Sequence, residues 1–151
     1  MDFSRSVEIA APFEEVWALV NDVPSAATCI PGIHDITMIA ERAFTCVLTQ
    51  KVGSVRARFA LTSELVADDA RRVVTAQTRG ADPALGSTVD ARQTFTLVPA
   101  GDQGATVADV RISGRIATFG HRVIAAKAEQ VTLEAIRNVD ELLAARRVSG
   151  R

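Results

Sequence analysis

The sequence is poor in the side chains that most often do chemistry at enzyme sites. Its 151 residues include no Tyr, only two His and only two Cys. The absence of tyrosine removes a common acid, base and oxyanion donor. So few His and Cys side chains make a multi-ligand zinc or iron site hard to assemble. We therefore expect no catalytic residue, no metal site and no cofactor.

A charge excess and long apolar runs are also missing. The formal net charge is -1, which leaves no basic excess for a phosphate backbone, so we expect no nucleic-acid partner. No apolar run reaches the roughly 18 residues of a membrane span, and the start of the chain, Met1 to Ser6, is too polar for a signal peptide. Cys29 and Cys46 lie outside any CxxC motif and are interpreted as half-buried thiols in a reducing compartment. These features predict a cytoplasmic protein.

What the sequence does contain is typical of one globular domain. Hydrophobic residues make up 48% of the chain and charged residues 23%, a composition that argues against disorder. We find no internal repeat, linker or low-complexity segment. The prediction is a single domain over residues 1–147, followed by a frayed tail over residues 148–151.

The hydrophobic pattern predicts a strand, two helices and then a run of strands. Residues 3–9 alternate as a strand with one covered face. Pro12 and the acidic pair after Phe13 suit the start of a helix that ends near Asn21, and a second short helix is predicted over residues 25–29. Period-two alternation predicts further strands at 33–41, 43–52, 55–66, 72–78, 88–98 and 105–113.

The C-terminal third carries the pattern of one long helix. Residues 115–145 contain no Pro and no strand alternation. Apolar residues recur there at steps of three and four, which marks one buried face of a helix. They are Ile124, Ala128, Val131, Ala135, Val139 and Leu142. The order of elements predicts an α+β domain in which this helix crosses the concave face of an antiparallel sheet.

Several segments resemble a known superfamily and, within it, one family. Residues 12–17 (PFEEVW) and 29–32 (CIPG) look like the START-like, helix-grip superfamily, which includes polyketide cyclases and Bet v 1-type carriers. Residues 51–59 (KVGSVRARF) are similar to the KVGPVKAxF stretch of the carbon monoxide dehydrogenase G-subunit (CoxG) family. Residues 120–124 (GHRVI) are similar to that family's LGxRLI segment. The resemblance implies a helix-grip fold, in which a curved antiparallel sheet wraps around a long C-terminal helix.

The resemblance also implies a function. Members of this family are accessory proteins of molybdenum hydroxylases and help to attach the enzyme to the cytoplasmic membrane, and the fold implies binding of a lipid-like or quinone-like molecule. Some members carry an apolar C-terminal extension, whereas this sequence stops just after the long helix. We therefore expect at most peripheral contact with the inner face of the membrane, around residues 30–32 and 84–85. The alternatives are a cyclase-, aromatase- or hydrolase-like enzyme that uses the same cavity, and an interaction subunit with a vestigial cavity.

The expected binding site is an apolar pocket between the long helix and the sheet. Core packing remains the alternative for each lining residue, because the same side chains serve both roles when a cavity is present. The predicted lining residues are Leu48, Phe59, Leu61 and Phe95 on the sheet, Phe119 and Val123 on the helix, and Trp17 and Ile30 near the short helices.

The polar residues are expected to lie mainly on the outside. His34 and Asp35 are adjacent in a predicted strand, so they should point to opposite faces and form no acid–base pair. Arg56 and Arg58 project opposite Phe59 and are interpreted as outer charges that can meet a partner protein. Cross-strand charge pairs are expected on the outer face around Asp90, Arg92, Thr94, Asp109 and Arg111. His121 is expected at the surface or at the pocket mouth.

Overall fold

The structure, a computed structural model, describes residues 2–101, 104–116 and 120–149. Its elements follow the predicted order of one strand, two helices, six strands and one long helix. They are β1 (Asp2–Ile9), α1 (Phe13–Asn21), α2 (Val23–Ala27), β2 (Ile33–Ala40), β3 (Ala43–Val52), β4 (Val55–Asp68), β5 (Val73–Asp82), β6 (Ser87–Pro99), β7 (Thr106–Ile116) and α3 (His121–Ser149).

The seven strands form one antiparallel sheet in the order β1-β7-β6-β5-β4-β3-β2. The two short helices carry the chain from β1 at one edge to β2 at the other. Helix α3 contacts both β1 and β3, so it crosses the inner face of the curved sheet. This arrangement confirms the predicted α+β helix-grip fold.

The core is divided into two apolar clusters. The first cluster joins α1 and the C-terminal half of α3 to the sheet, and its members include Trp17, Leu19, Val74, Leu97, Val110, Ile136 and Leu143. The second cluster joins the start of α3 to the other end of the sheet, and its members include Phe44, Cys46, Ala57, Phe59, Leu61, Val89, Ala91 and Ile124. Strict alternation along the strands puts these side chains on the inner face and their neighbours on the outer face.

The start of the long helix was predicted too early. Residues 115 and 116 belong to β7, where Arg115 pairs with Asp90 and Ile116 with Val89. Gly114 hides the alternation, because it has a φ of +154° and a Cβ there would collide with the carbonyl oxygen of Asp90. A glycine at such a close approach is required by the backbone, although it interrupts the apolar pattern that identifies a strand.

The far end of α3 extends beyond the predicted domain boundary. The helix continues through Ser149, so the first residues of the expected tail are helical. Arg146 donates a 3.0 Å hydrogen bond to the Ser25 hydroxyl, and Arg147 donates a 3.2 Å bond to the Ala10 carbonyl oxygen. Positive charge is also favourable at the last turn of a helix. These contacts hold the end of α3 against the short helices.

The buried face of α3 is displaced from the predicted stripe. Ile124 is buried as expected, but the other buried positions are Thr132, Ile136 and Leu143, whereas Val131 is only half-buried. In the described part of the chain, no helix combines the length and apolarity needed to cross a membrane.

Candidate functional site

A band of uncharged polar side chains separates the two apolar clusters inside the grip. On the sheet, Ser63 lies between Leu61 and Leu65, and Gln93 lies between Ala91 and Phe95. Helix α3 contributes one buried polar side chain, Thr132, at a position between Ile124 of the second cluster and Ile136 of the first. The band is therefore formed by strands and helix together.

The polar band is a short hydrogen-bonded row across β4, β5 and β6. The Thr78 hydroxyl donates to the Gln93 side-chain oxygen at 3.3 Å, so the Ser63 hydroxyl donates to Thr78 over 3.0 Å. Ser63 and Thr78 are buried, and Gln93 is half-buried. Sequence reasoning missed these residues, although the signal was available, because each occupies an inward position of a strand whose inward neighbours are apolar.

The predicted sheet-side residues divide between the two clusters. Phe59 and Leu61 are buried in the second cluster, and Leu48 packs against it. Phe95 packs against the first cluster, which also contains Trp17. The structure thus places these side chains on the inner face, as predicted, but on both sides of the polar band. Their role as pocket lining stays a prediction.

Trp17 is fixed by contacts on several sides. Its indole N–H donates a 3.0 Å hydrogen bond to an Asp69 carboxylate oxygen. The Arg72 guanidinium lies 5.2 Å from the Trp17 ring centroid and 5.1 Å from that of Phe13, and it also bonds Glu14 at 3.3 Å. The residue therefore anchors α1 to the β4–β5 turn, which is a core role.

The other predicted lining residues are less buried. Ile30 is half-buried, and 44% of Val123 is exposed. Phe119 and the side chain of His121 lie outside the described residues, so the helix-side part of the prediction stays open.

Ionisable side chains are scarce on the inner face of the central strands. Within the described chain, the inward positions of β3 to β7 carry one carboxylate, Asp82, which accepts hydrogen bonds from the backbone N–H groups of Arg58 at 2.8 Å and Ala84 at 3.0 Å. Burial raises the pKa of the Cys46 thiol. Burial also raises the pKa of Cys29, partly opposed by the charge of Arg146. Both free thiols are therefore held in their protonated form, which is the less nucleophilic one.

Two cavities open on the outer side of the sheet. The first, which we call the outer cleft, has a volume of about 450 Å³ and is lined by Val47, Arg56, Arg58, Ala60, Asp82, Pro83, Ala84 and Leu85. The second, which we call the hairpin groove, has a volume of about 460 Å³ and is lined by Pro31, Gly32, Ile33, His34, Thr49, Gln50, Lys51, Arg56 and Lys127. Arg56 lines both, so the two cavities are neighbours.

The expectation for His34 and Asp35 was wrong. Their side chains lie on the same side, with His34 Nδ1 3.2 Å from a carboxylate oxygen of Asp35 and His34 Nε2 3.0 Å from the Thr49 hydroxyl. Asp35 has a φ of +54° at a register shift in β2, which breaks the alternation on which the expectation depended. The three side chains lie at the outer surface, and 41% of His34 and 70% of Asp35 is exposed.

The other outer-face predictions agree with the structure. Arg56 and Arg58 are exposed on β4. Asp90 accepts a hydrogen bond from Gln77 at 2.7 Å and lies 3.6 Å from Arg79, and Ser6 donates to Asp109 at 3.3 Å. These are cross-strand pairs on a solvated face.

Solved structures share this fold at low sequence identity. A conserved protein from Geobacillus kaustophilus superposes with a TM-score of 0.85 at 19% identity, covering 97% of each chain. The ZhuI aromatase/cyclase from Streptomyces sp. R1128 gives 0.70 at 17% identity, covering 97% of this chain and 94% of its own. A START superfamily protein from Mycobacterium smegmatis gives 0.68 at 15% identity, covering 95% and 97%. At these identities the likeness shows the fold alone.

Sequence comparison identifies the family. A search of curated protein sequences finds no match. The profile of the CoxG family, the G-subunit of carbon monoxide dehydrogenase, matches residues 6–144, which include every element from α1 to β7 and most of α3. The chain therefore belongs to the carbon monoxide dehydrogenase G-subunit (CoxG) family.

Proposed function

We propose that this protein binds an apolar, lipid- or quinone-like molecule between α3 and the inner face of the sheet, and that it assists a molybdenum hydroxylase without catalysing a reaction. The observation that carries the proposal is the polar band between the two apolar clusters. An apolar molecule that also bears an oxo or hydroxyl group matches such an interior, because its body contacts aliphatic and aromatic side chains while its oxygen finds a hydrogen bond.

The chemistry of the polar band suits selection of a ligand. The Ser63 and Thr78 hydroxyls and the Gln93 amide can each donate or accept. A ligand oxygen that pairs with them gains about 0.5–1.5 kcal/mol for each net hydrogen bond. A purely hydrocarbon ligand leaves these groups without that gain, so the band favours molecules with an oxygen near the middle of the grip.

The same interior gives little support to acid–base catalysis. A general acid or base needs a titratable side chain within hydrogen-bond reach of the substrate. Along the described inner face of β3 to β7, the candidates are Asp82, already engaged by backbone N–H groups, and Cys46, whose pKa is raised by burial. Hydroxyl and amide groups bind and orient a molecule, but they do not exchange protons readily near neutral pH.

The test of ligand binding is native mass spectrometry of the freshly purified protein, followed by solvent extraction of the bound molecule. We expect a mass adduct that Thr78→Val reduces about tenfold. Thr75→Val is the matched control, because Thr75 lies on the same strand but on the outer face. An equal loss in both variants, or no adduct after incubation with a short-chain quinone, would argue against the proposed site.

The accessory role is supported by family membership and requires a separate test. We expect the protein to form a complex with the molybdenum hydroxylase encoded beside it, seen as a shift in gel filtration when the two purified proteins are mixed. We also expect weak, reversible vesicle contact through the apolar side chains near Pro31 and Leu85, because each buried CH₂ contributes only about 0.8 kcal/mol. Vesicle binding that survives washing would contradict this part of the proposal.

An enzyme of the cyclase or aromatase type is the alternative. The observation that favours it is the fold shared with the Streptomyces aromatase/cyclase. Turnover of a polyketide-like or ester substrate by the purified protein, lost in Cys46→Ala or His34→Ala but kept in Thr75→Val, would support this alternative over the binding role.

A further inference from the structure

The hairpin groove concentrates positive charge at one end of the sheet. The connection before β2, the β3–β4 hairpin and the first turns of α3 meet there. Lys51, Arg56 and Lys127 line this groove together with His34. These three include both lysines of the sequence.

The three cations have no acidic partner among the described residues. Lys127 donates a 3.1 Å hydrogen bond to the Gln130 side chain, while Lys51 and Arg56 take part in none of the described ion pairs. Arginines elsewhere do pair, such as Arg5 with Glu129 at 2.8 Å. Like charges that converge on one cavity repel each other unless an anion balances them.

The wall of the groove is held in place by specific contacts. Gly32 has a φ of +80°, and a Cβ at this position would collide with the Thr49 carbonyl oxygen. The Gln50 amide donates a 2.6 Å hydrogen bond to the Pro31 carbonyl oxygen. His34 bridges to Thr49 at 3.0 Å. A wall fixed in this way presents its cationic side chains from a stable frame, as a binding site requires.

The neighbouring outer cleft supplies an apolar surface next to these charges. Its lining includes Val47, Ala60, Pro83 and Leu85, and Arg56 stands between it and the hairpin groove. Each cavity lies within the range of about 300–1,000 Å³ that is typical of small-molecule sites. A molecule that spans both must combine an apolar part with an anionic end.

We infer that the hairpin groove binds the phosphoryl group of an amphipathic phosphate ester, whose apolar part lies in the outer cleft. Three cations match the two negative charges and three terminal oxygens of a phosphomonoester better than the single charge of a carboxylate. This site lies on the outer face of the sheet, so it is separate from the proposed interior site and does not depend on it.

The test is a two-dimensional NMR titration at constant ionic strength, with hexyl phosphate as the probe. We expect saturable shifts at the backbone amides of residues 47–60. Binding should be about tenfold weaker for inorganic phosphate, which lacks the apolar part, and about tenfold weaker in Arg56→Gln, which loses a charge-assisted hydrogen bond. Arg111→Gln is the matched control, because it removes the same charge from an exposed position on the same face of β7.

Further arms of the experiment decide between outcomes. Sedimentation with phosphatidylcholine vesicles that contain phosphatidic acid, lost in Arg56→Gln, would identify a lipid headgroup as the source of the phosphoryl group. Binding of hexyl phosphate without such sedimentation would identify a free phosphate ester. The inference is overturned if hexanoate binds as tightly as hexyl phosphate, if Arg111→Gln weakens binding as much as Arg56→Gln, or if no saturable shift occurs. Thr78→Val should leave this titration unchanged, which separates it from the interior site.

Discussion

Replacement of Ile136 by alanine tests how α3 lies on the sheet. Only 8% of Ile136 is exposed, and the side chain packs in the first cluster. Truncation of a buried isoleucine to alanine costs about 2–5 kcal/mol, because apolar contact is lost and a cavity remains. We expect the free energy of unfolding to fall by about 3 kcal/mol.

The comparison variant is Val131→Ala, at a position that the helical pattern assigned to the buried stripe. Val131 is half-buried and belongs to neither cluster. The loss of two methyl groups at about 0.8 kcal/mol each, halved for exposure, predicts a cost of about 1 kcal/mol. Urea unfolding followed by circular dichroism measures both values, with the same m expected for both variants and the wild type. If Val131→Ala costs as much as Ile136→Ala, the helix is rotated away from the orientation that buries Ile136.

Three further predictions address other parts of the fold. Asp69→Ala should lower the unfolding free energy by about 1 kcal/mol, because the N–H of Trp17 loses its acceptor, and the fluorescence of this single Trp should change; an unchanged spectrum would show that the hydrogen bond does not form. Burial raises the pKa of Cys46, so its contribution to stability is complete below the ordinary thiol pKa of about 8.5 and is lost as the pH rises through the raised value; Cys46→Ala should flatten this alkaline decline, and an unchanged decline would assign it to other groups. Gly32→Ala should destabilise the protein by more than about 1 kcal/mol in thermal unfolding, because the φ is positive and the added Cβ meets backbone; a variant as stable as the wild type would show that the turn can rearrange.

The sequence was sufficient to predict the fold because several independent patterns agreed. Alternation identified six of the later strands, the helical period identified α3, and the motifs at residues 12–17 and 29–32 placed them in a helix-grip order. The errors occurred where backbone geometry departs from regular alternation. Asp35 adopts a positive φ that turns it to the side of His34, and Gly114 allows close strand contact while carrying no side chain.

The candidate site was less predictable for a different reason. Alternation shows which face of a strand is covered, and Phe59, Leu61 and Leu48 do lie on that face. It does not show which residues of α3 lie opposite, because a small rotation of the helix exchanges Val131 for Thr132. The outer cavities depend on how side chains from separate elements meet across the hairpin end, and no local pattern encodes that meeting.

The order of the strands has a consequence for folding during synthesis. Strands β2 to β7 pair with their neighbours in chain order, so each hairpin can form as soon as its second strand is made. Strand β1 pairs only with β7, and Asp2 lies opposite Ser113. The first segment to leave the ribosome must therefore wait for about three quarters of the chain before it finds its partner, and it closes a long loop when it does. Until then its apolar side chains, and the short helices that follow, have no sheet edge to pack against. Any chaperone that acts on this protein would be expected to meet the N-terminal strand first.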